Sequence, residues 1–153
     1  MSIPSWFSRS VGRVREGTKI HLVLTAELLG GSAEMLQNMR DATDEACEAL
    51  LVEQVSHTCG GAVDWKEHPQ DIAQMLAAFL GAEEAARIQN ATLDARSKPP
   101  QAAQAFDQLL SSSTKGVRAL DTFGDFYIVL LVSREQLPRF DAINKHWLAQ
   151  ADA

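Results

Sequence analysis

Five residues in two short stretches are of the types that active sites and ligand sites use most. Asp64 and Trp65 stand in Val63-Asp64-Trp65-Lys66, and Asp121, Asp125 and Tyr127 stand in Leu120-Asp121-Thr122-Phe123-Gly124-Asp125-Phe126-Tyr127. Carboxylates at strand ends can act as general acids or bases, or anchor a polar ligand, while an indole and a phenol supply stacking surface. A plainer reading exists for two of them. Asp121 and Asp125 flank a glycine turn, and aspartate side chains bond nearby backbone amides in such turns. The turn reading is the one adopted here, with a small-molecule pocket lined by Asp64, Trp65, Asp121, Asp125 and Tyr127 as its alternative.

Other chemistry is thinner. His57 and Cys59 lie two apart with His68 nearby, but no further pair completes a tetrahedral metal set. Cys47 falls on the apolar stripe of its segment and reads as a small core residue. No Gly-x-Ser-x-Gly elbow, phosphate-cradling glycine loop or His-Glu-x-x-His helix occurs. His21, His57, His68 and His146 are scattered, as surface or half-buried histidines are. No catalytic residue, metal or cofactor is expected.

The elements that must carry these residues come from periodicity. Lys19–Leu29 fits a strand as well as a helix, since Ile20, Leu22 and Leu24 alternate while Leu24, Leu28 and Leu29 share a helical face. After Gly30-Gly31, Ser32 opens one long amphipathic helix reaching about residue 57, with its acids outward. Gly60-Gly61 reads as punctuation, Ala62–Lys66 as a short extended piece, and Pro69 as the first position of a helix that Gly81 ends. A short helix from Glu83 and another around Ala102–Leu110 follow. Val117–Leu120 and Phe126–Val132 are strands, and the second, apolar on both faces, belongs in the middle of a covered sheet. Ser133 and Gln136 form a capping box for a last helix with Leu137, Phe140, Ile143, Trp147 and Leu148 inward. The sum is an α+β fold in one domain over 1–153: about five helices packed on a small antiparallel sheet, with a C-terminal β-hairpin followed by a helix.

Composition fits that picture. With 153 residues, 46% apolar and 22% charged, one core suffices. Two cysteines argue for a reducing compartment, and no apolar run reaches the ~20 residues that span a bilayer, so a cytoplasmic protein is expected. Residues 1–19 carry four basic side chains against Glu16 and read as a basic N-terminal arm, packed or mobile. His21 and Glu27 interrupt the apolar stretch that a secretory signal would need, and Gly12 and Gly17 weaken any membrane-surface helix.

Residues 27–71 carry ten acids against Arg40 and Lys66, a local net of −8. With −6 overall, nucleic acid is excluded as a partner, because phosphate binding needs a basic face. An acidic helix surface built on Asp41, Asp44, Glu45, Glu48 and Glu53 suits a basic protein partner. The plainer reading, and the one the charge pattern favours, is a solvated face that keeps the chain soluble.

Two motifs carry a resemblance. Val63-Asp64-Trp65-Lys66-x-x-Pro69-x-Asp71 and Leu120-Asp121-Thr122-x-x-Asp125-x-Tyr127 resemble an uncharacterised bacterial family known as a domain of unknown function, over roughly residues 60–150. That resemblance implies a bacterial cytoplasmic protein and supplies no activity. On the residues alone, Trp65 is expected to pack on the sheet with its indole N–H bonded to an aspartate. The function expected is therefore a non-catalytic binding protein, in its specific form an immunity-type protein blocking a basic toxin or enzyme. The alternative is a small-molecule-binding domain or weak enzyme.

Overall fold

The structure, a computed structural model, describes residues 12–149, with side chains from Lys19 onward. The chain runs α1 (Gly12–Leu28), α2 (Ala33–Asp41), α3 (Asp44–Thr58), β1 (Gly60–Asp64), α4 (Pro69–Ala77), α5 (Ala82–Gln89), α6 (Pro99–Leu109), β2 (Lys115–Asp121), β3 (Phe126–Ser133) and α7 (Leu137–Ile143). The class is α+β, with seven helices among the described residues rather than about five. The two extra helices arise from α1, which takes the segment left open between strand and helix, and from a break in the expected long helix.

That break lies at Ala42-Thr43. Ala42 is extended, and Thr43 caps a new helix by accepting the Ala46 amide at 3.2 Å. Asp44 and Glu45 then sit in the first turn of α3, where the helix dipole favours them. Lys19 secures the end of α2 by donating to the carbonyls of Arg40 and, at 2.6 Å, Ala42. Lys19 is thus helical and anchored, and the basic arm expected over 1–19 is helix from Gly12; residues 1–11 lie outside the described ones.

The sheet has the order β1-β3-β2, antiparallel throughout, with Gly60 opposite Leu130 and Leu120 opposite Ile128. The apolar run takes the centre: Phe126 and Ile128–Val132 are all buried. A strand buried on both faces needs cover on both sides. Gly61, opposite Val129, faces Met75 of α4, while Gly116, opposite Val132, faces Leu137 of α7. Residues 129 and 132 of one strand point to opposite faces, so α4 and α7 cover opposite sides. The α6 helix packs along β2 and β3, and α1 packs on α2, α3 and α7.

Gly60 and Gly61 are not punctuation. They are the first residues of β1, held there by close packing: a Cβ on Gly60 would strike the Val129 carbonyl, and one on Gly61 would lie 2.7 Å from Met75 Sδ. The capping box at Ser133 does not form either. Ser133 ends β3, Gln136 takes the N-cap position, and its side chain donates to the Leu28 carbonyl at 3.2 Å. Trp147 and Leu148, expected on the last helix, come after its end. They return to the outer edge of β2, where the Asp121 amide donates to Trp147 O (2.7 Å) and the Ala149 amide to Ala119 O (2.9 Å). Trp147 also stacks on buried His21 of α1, ring centres 3.8 Å apart, next to fully buried Asn144 and Thr25, which bond each other. No helix among the described residues is long and apolar enough to cross a membrane.

Candidate functional site

The five residues singled out above gather at one end of the sheet but do not converge. Asp64 lies opposite Phe126, whereas Asp121 lies opposite Tyr127. Phe126 and Tyr127 are neighbours on the central strand, so the two aspartates stand on opposite faces, two strand spacings (about 10 Å) apart. Each carboxylate is taken up locally. Asp64 Oδ1 accepts the Lys66 amide at 2.8 Å, and Asp121 Oδ1 accepts the Phe123 amide at 2.7 Å. The second bond holds the tight turn in which Phe123 adopts φ 60°, a left-handed conformation that a non-glycine residue takes only when something fixes it. Asp125 is exposed and contributes its backbone carbonyl to the Trp65 amide at 3.1 Å. Tyr127 is half-buried, and burial together with the Asp121 carboxylate pushes its phenol above the usual range.

Trp65 departs furthest from expectation. It is not packed on the sheet but is 42% exposed, with Lys98 Nζ 4.6 Å and Lys66 Nζ 5.0 Å from its ring. These are cation–π distances. Lys98 comes from the start of α6, so the contact is long-range, and nothing in the spacing of the Trp65 motif announces it.

The acidic surface is present in part. Asp41, Glu45 and Glu53 are exposed and Asp44 is half-buried, but Glu48 is 9% exposed and turned inward on α3 beside Cys47, Leu51 and Val55. Glu48 therefore leaves the outward set. The reason is its place in the helix: it follows buried Cys47 directly and precedes Leu51 by three, so it shares their stripe.

Among the described residues no group of three or more His, Cys, Asp or Glu side chains is placed to hold an ion. Burial pushes the Cys47 thiol up to about 11 and raises Cys59 as well, which makes both poor thiolate donors at neutral pH.

Two residue groups that the sequence did not mark are prominent in the fold. The first is ionic. Arg118 grips Asp141 of α7 through two bonds (Nε–Oδ1 2.9 Å, Nη2–Oδ2 3.1 Å) and lies 3.4 Å from Asp107 of α6. Asp107 Oδ1 also accepts the outward Val117 amide of β2 at 2.9 Å and meets Arg134 at 3.4 Å. This cluster ties α6 and α7 to the sheet. A cavity of 290 Å³ adjoins it, but the polar wall there is the ion-pair network, already satisfied internally.

The second group is a cavity of 450 Å³ between the start of α4, α5 and the 91–95 segment. Its floor is Ile88 and Phe106, each 1% exposed, and Pro69, Ala73 and Leu93 form apolar walls. His68, Gln70 and Thr92 supply the polar groups. The volume is that of a small ligand, and the wall mixes apolar side chains with three polar ones. Its lining is spread over nearly 40 positions of sequence, so no short motif could show it.

Against known proteins, no family model, no curated protein and no solved structure matches this chain. The Val-Asp-Trp-Lys and Leu-Asp-Thr motifs are therefore interpreted on their own geometry.

Proposed function

We propose that this chain acts by binding rather than by catalysis, and that it presents the acidic helical surface of α2 and α3 to a basic protein partner. One observation carries the proposal: Glu34, Asp41, Glu45 and Glu53 are all exposed on two consecutive helices, α2 and α3, whose large apolar residues are buried or half-buried. Arg40 is the single arginine or lysine between residues 20 and 65. A surface of one sign steers an oppositely charged partner during encounter and suppresses wrong ones. An immunity-type inhibitor of a basic toxin or enzyme is the specific form this takes. The alternative of a site at the hairpin end is weakened, because the Asp64 and Asp121 carboxylates are engaged with backbone amides and point to opposite faces.

The test is capture of partners from cells expressing the protein, with the wild type compared with Glu34→Lys/Asp41→Lys/Glu53→Lys. A basic partner should be held by the wild type, lost from the variant, and released progressively as salt rises. If the reversed variant retained every partner at the same salt concentration, the acidic surface would not be the binding face.

A further inference from the structure

Separate from the acidic surface, the geometry points to the cavity above α4 and α5 as a binding site for a small, flat, largely apolar molecule that carries one anionic group. The cavity supplies the apolar half of that description. Ile88, Phe106 and Leu93 offer hydrocarbon and ring contacts in a space large enough for a small ligand.

The anionic half comes from the chain on either side. His68, on one wall, is three residues from Trp65, and Ala95, on the other, is three residues from Lys98. The second of these paths is folded back by a turn in which the Ser97 amide donates to Asp94 O at 2.9 Å. The two segments then meet in the Trp65–Lys98 contact, three residues beyond the cavity lining on either side. Lys66 lies over the same ring. Among the described residues neither ammonium is paired with a carboxylate, and Asp94 of the intervening turn is held by Arg96.

Two helices also begin here. His68 is the N-cap of α4 and Lys98 that of α6, so two helix N-termini lie on this side, although Pro69, Pro99 and Pro100 supply no amide there and the charge comes from the two ammoniums. The α6 first turn carries no acid, and Asp71 is the one acid in that of α4. An anion at this end would meet Lys66 and Lys98, while its apolar body would enter between Pro69 and Leu93.

Two probes with one body separate the two halves of the inference: 8-anilinonaphthalene-1-sulfonate and the neutral N-phenyl-1-naphthylamine, measured by fluorescence and calorimetry. The sulfonate should bind with 1:1 stoichiometry and about tenfold more tightly than the neutral probe, a difference of the size one charge contact supplies. Lys66→Glu/Lys98→Glu, two exposed positions, should erase that difference and leave the neutral probe unchanged. Thr92→Trp, on the exposed rim, should weaken both probes at least tenfold by filling the space, with circular dichroism checking that each variant is folded. Equal binding of the two probes, unaltered by the lysine changes, would overturn the anionic class. Binding untouched by Thr92→Trp, or no 1:1 binding of either probe, would overturn the site.

Discussion

At the hairpin end of the sheet, Asp64 and Asp121 each bond an amide two residues further along, and neither carboxylate is seen to bond a second element. Along the outer edge of β2, Asp107 and Asp141 do the opposite. Asp107 joins α6 to a strand amide and to two arginines, and Asp141 joins α7 to Arg118 across 23 residues of sequence. The same side chain thus serves two purposes. A local carboxylate fixes the shape of a turn, and a long-range one fixes the position of a helix. The first kind is conspicuous in a sequence, sitting among Gly, Thr and Trp in what looks like a motif. The second kind is anonymous, lying within an ordinary amphipathic helix.

That contrast can be broken by removing the carboxylates one at a time. The largest effect is expected at Asp107→Ala, which strips one partner from Arg118 and another from Arg134 and leaves the Val117 amide without its acceptor. Because the cluster is about a quarter exposed, the loss should be about 2 to 3 kcal/mol, less than for a fully buried pair. Thermal melting should show it as a fall of roughly 5 to 10 °C. Asp141→Ala comes next, at about 1 to 1.5 kcal/mol by urea titration, since Arg118 keeps Asp107 when its two-bond partner goes.

Asp64→Ala and Asp121→Ala should each cost roughly 0.5 to 1 kcal/mol, the scale of one local side-chain cap. If either cost as much as Asp107→Ala, the division into local and long-range carboxylates would not hold. The smallest effect is spectroscopic and sharpens the account of Asp121. Tyr127 is the single tyrosine, so ultraviolet titration reports it alone. Its phenol should ionise above the usual value, and Asp121→Asn should bring it part of the way down, because burial, the larger cause, remains. The sign follows: a folded-state pKa raised above the unfolded one contributes stability that is complete below pH ~10 and lost as the pH climbs through the folded value.

Much of the frame was legible. Phe126–Val132 had no polar residue to turn outward, which left only the centre of a covered sheet for it, and Pro69 could start a helix but not continue one. The break between α2 and α3 was readable and missed: Thr43 followed by Asp44 and Glu45 is an N-cap with an acidic first turn, overridden by the apolar residues on either side. Gly60 and Gly61 could not have been placed, because the reason for glycine there is the Val129 carbonyl and Met75, distant in sequence. The same holds for Trp65, whose surroundings depend on Lys98, and for Glu48, whose inward turn depends on the register of a helix that begins at Asp44.

The return of residues 147–149 to the edge of β2 has a consequence for how the chain is made. During synthesis β2 and β3 leave the ribosome before the segment that closes them, so the strand edge stays bare until the following helix and its tail have emerged. Over that interval the nascent hairpin is open to pairing with another nascent hairpin, and a chaperone that shields it would matter most there.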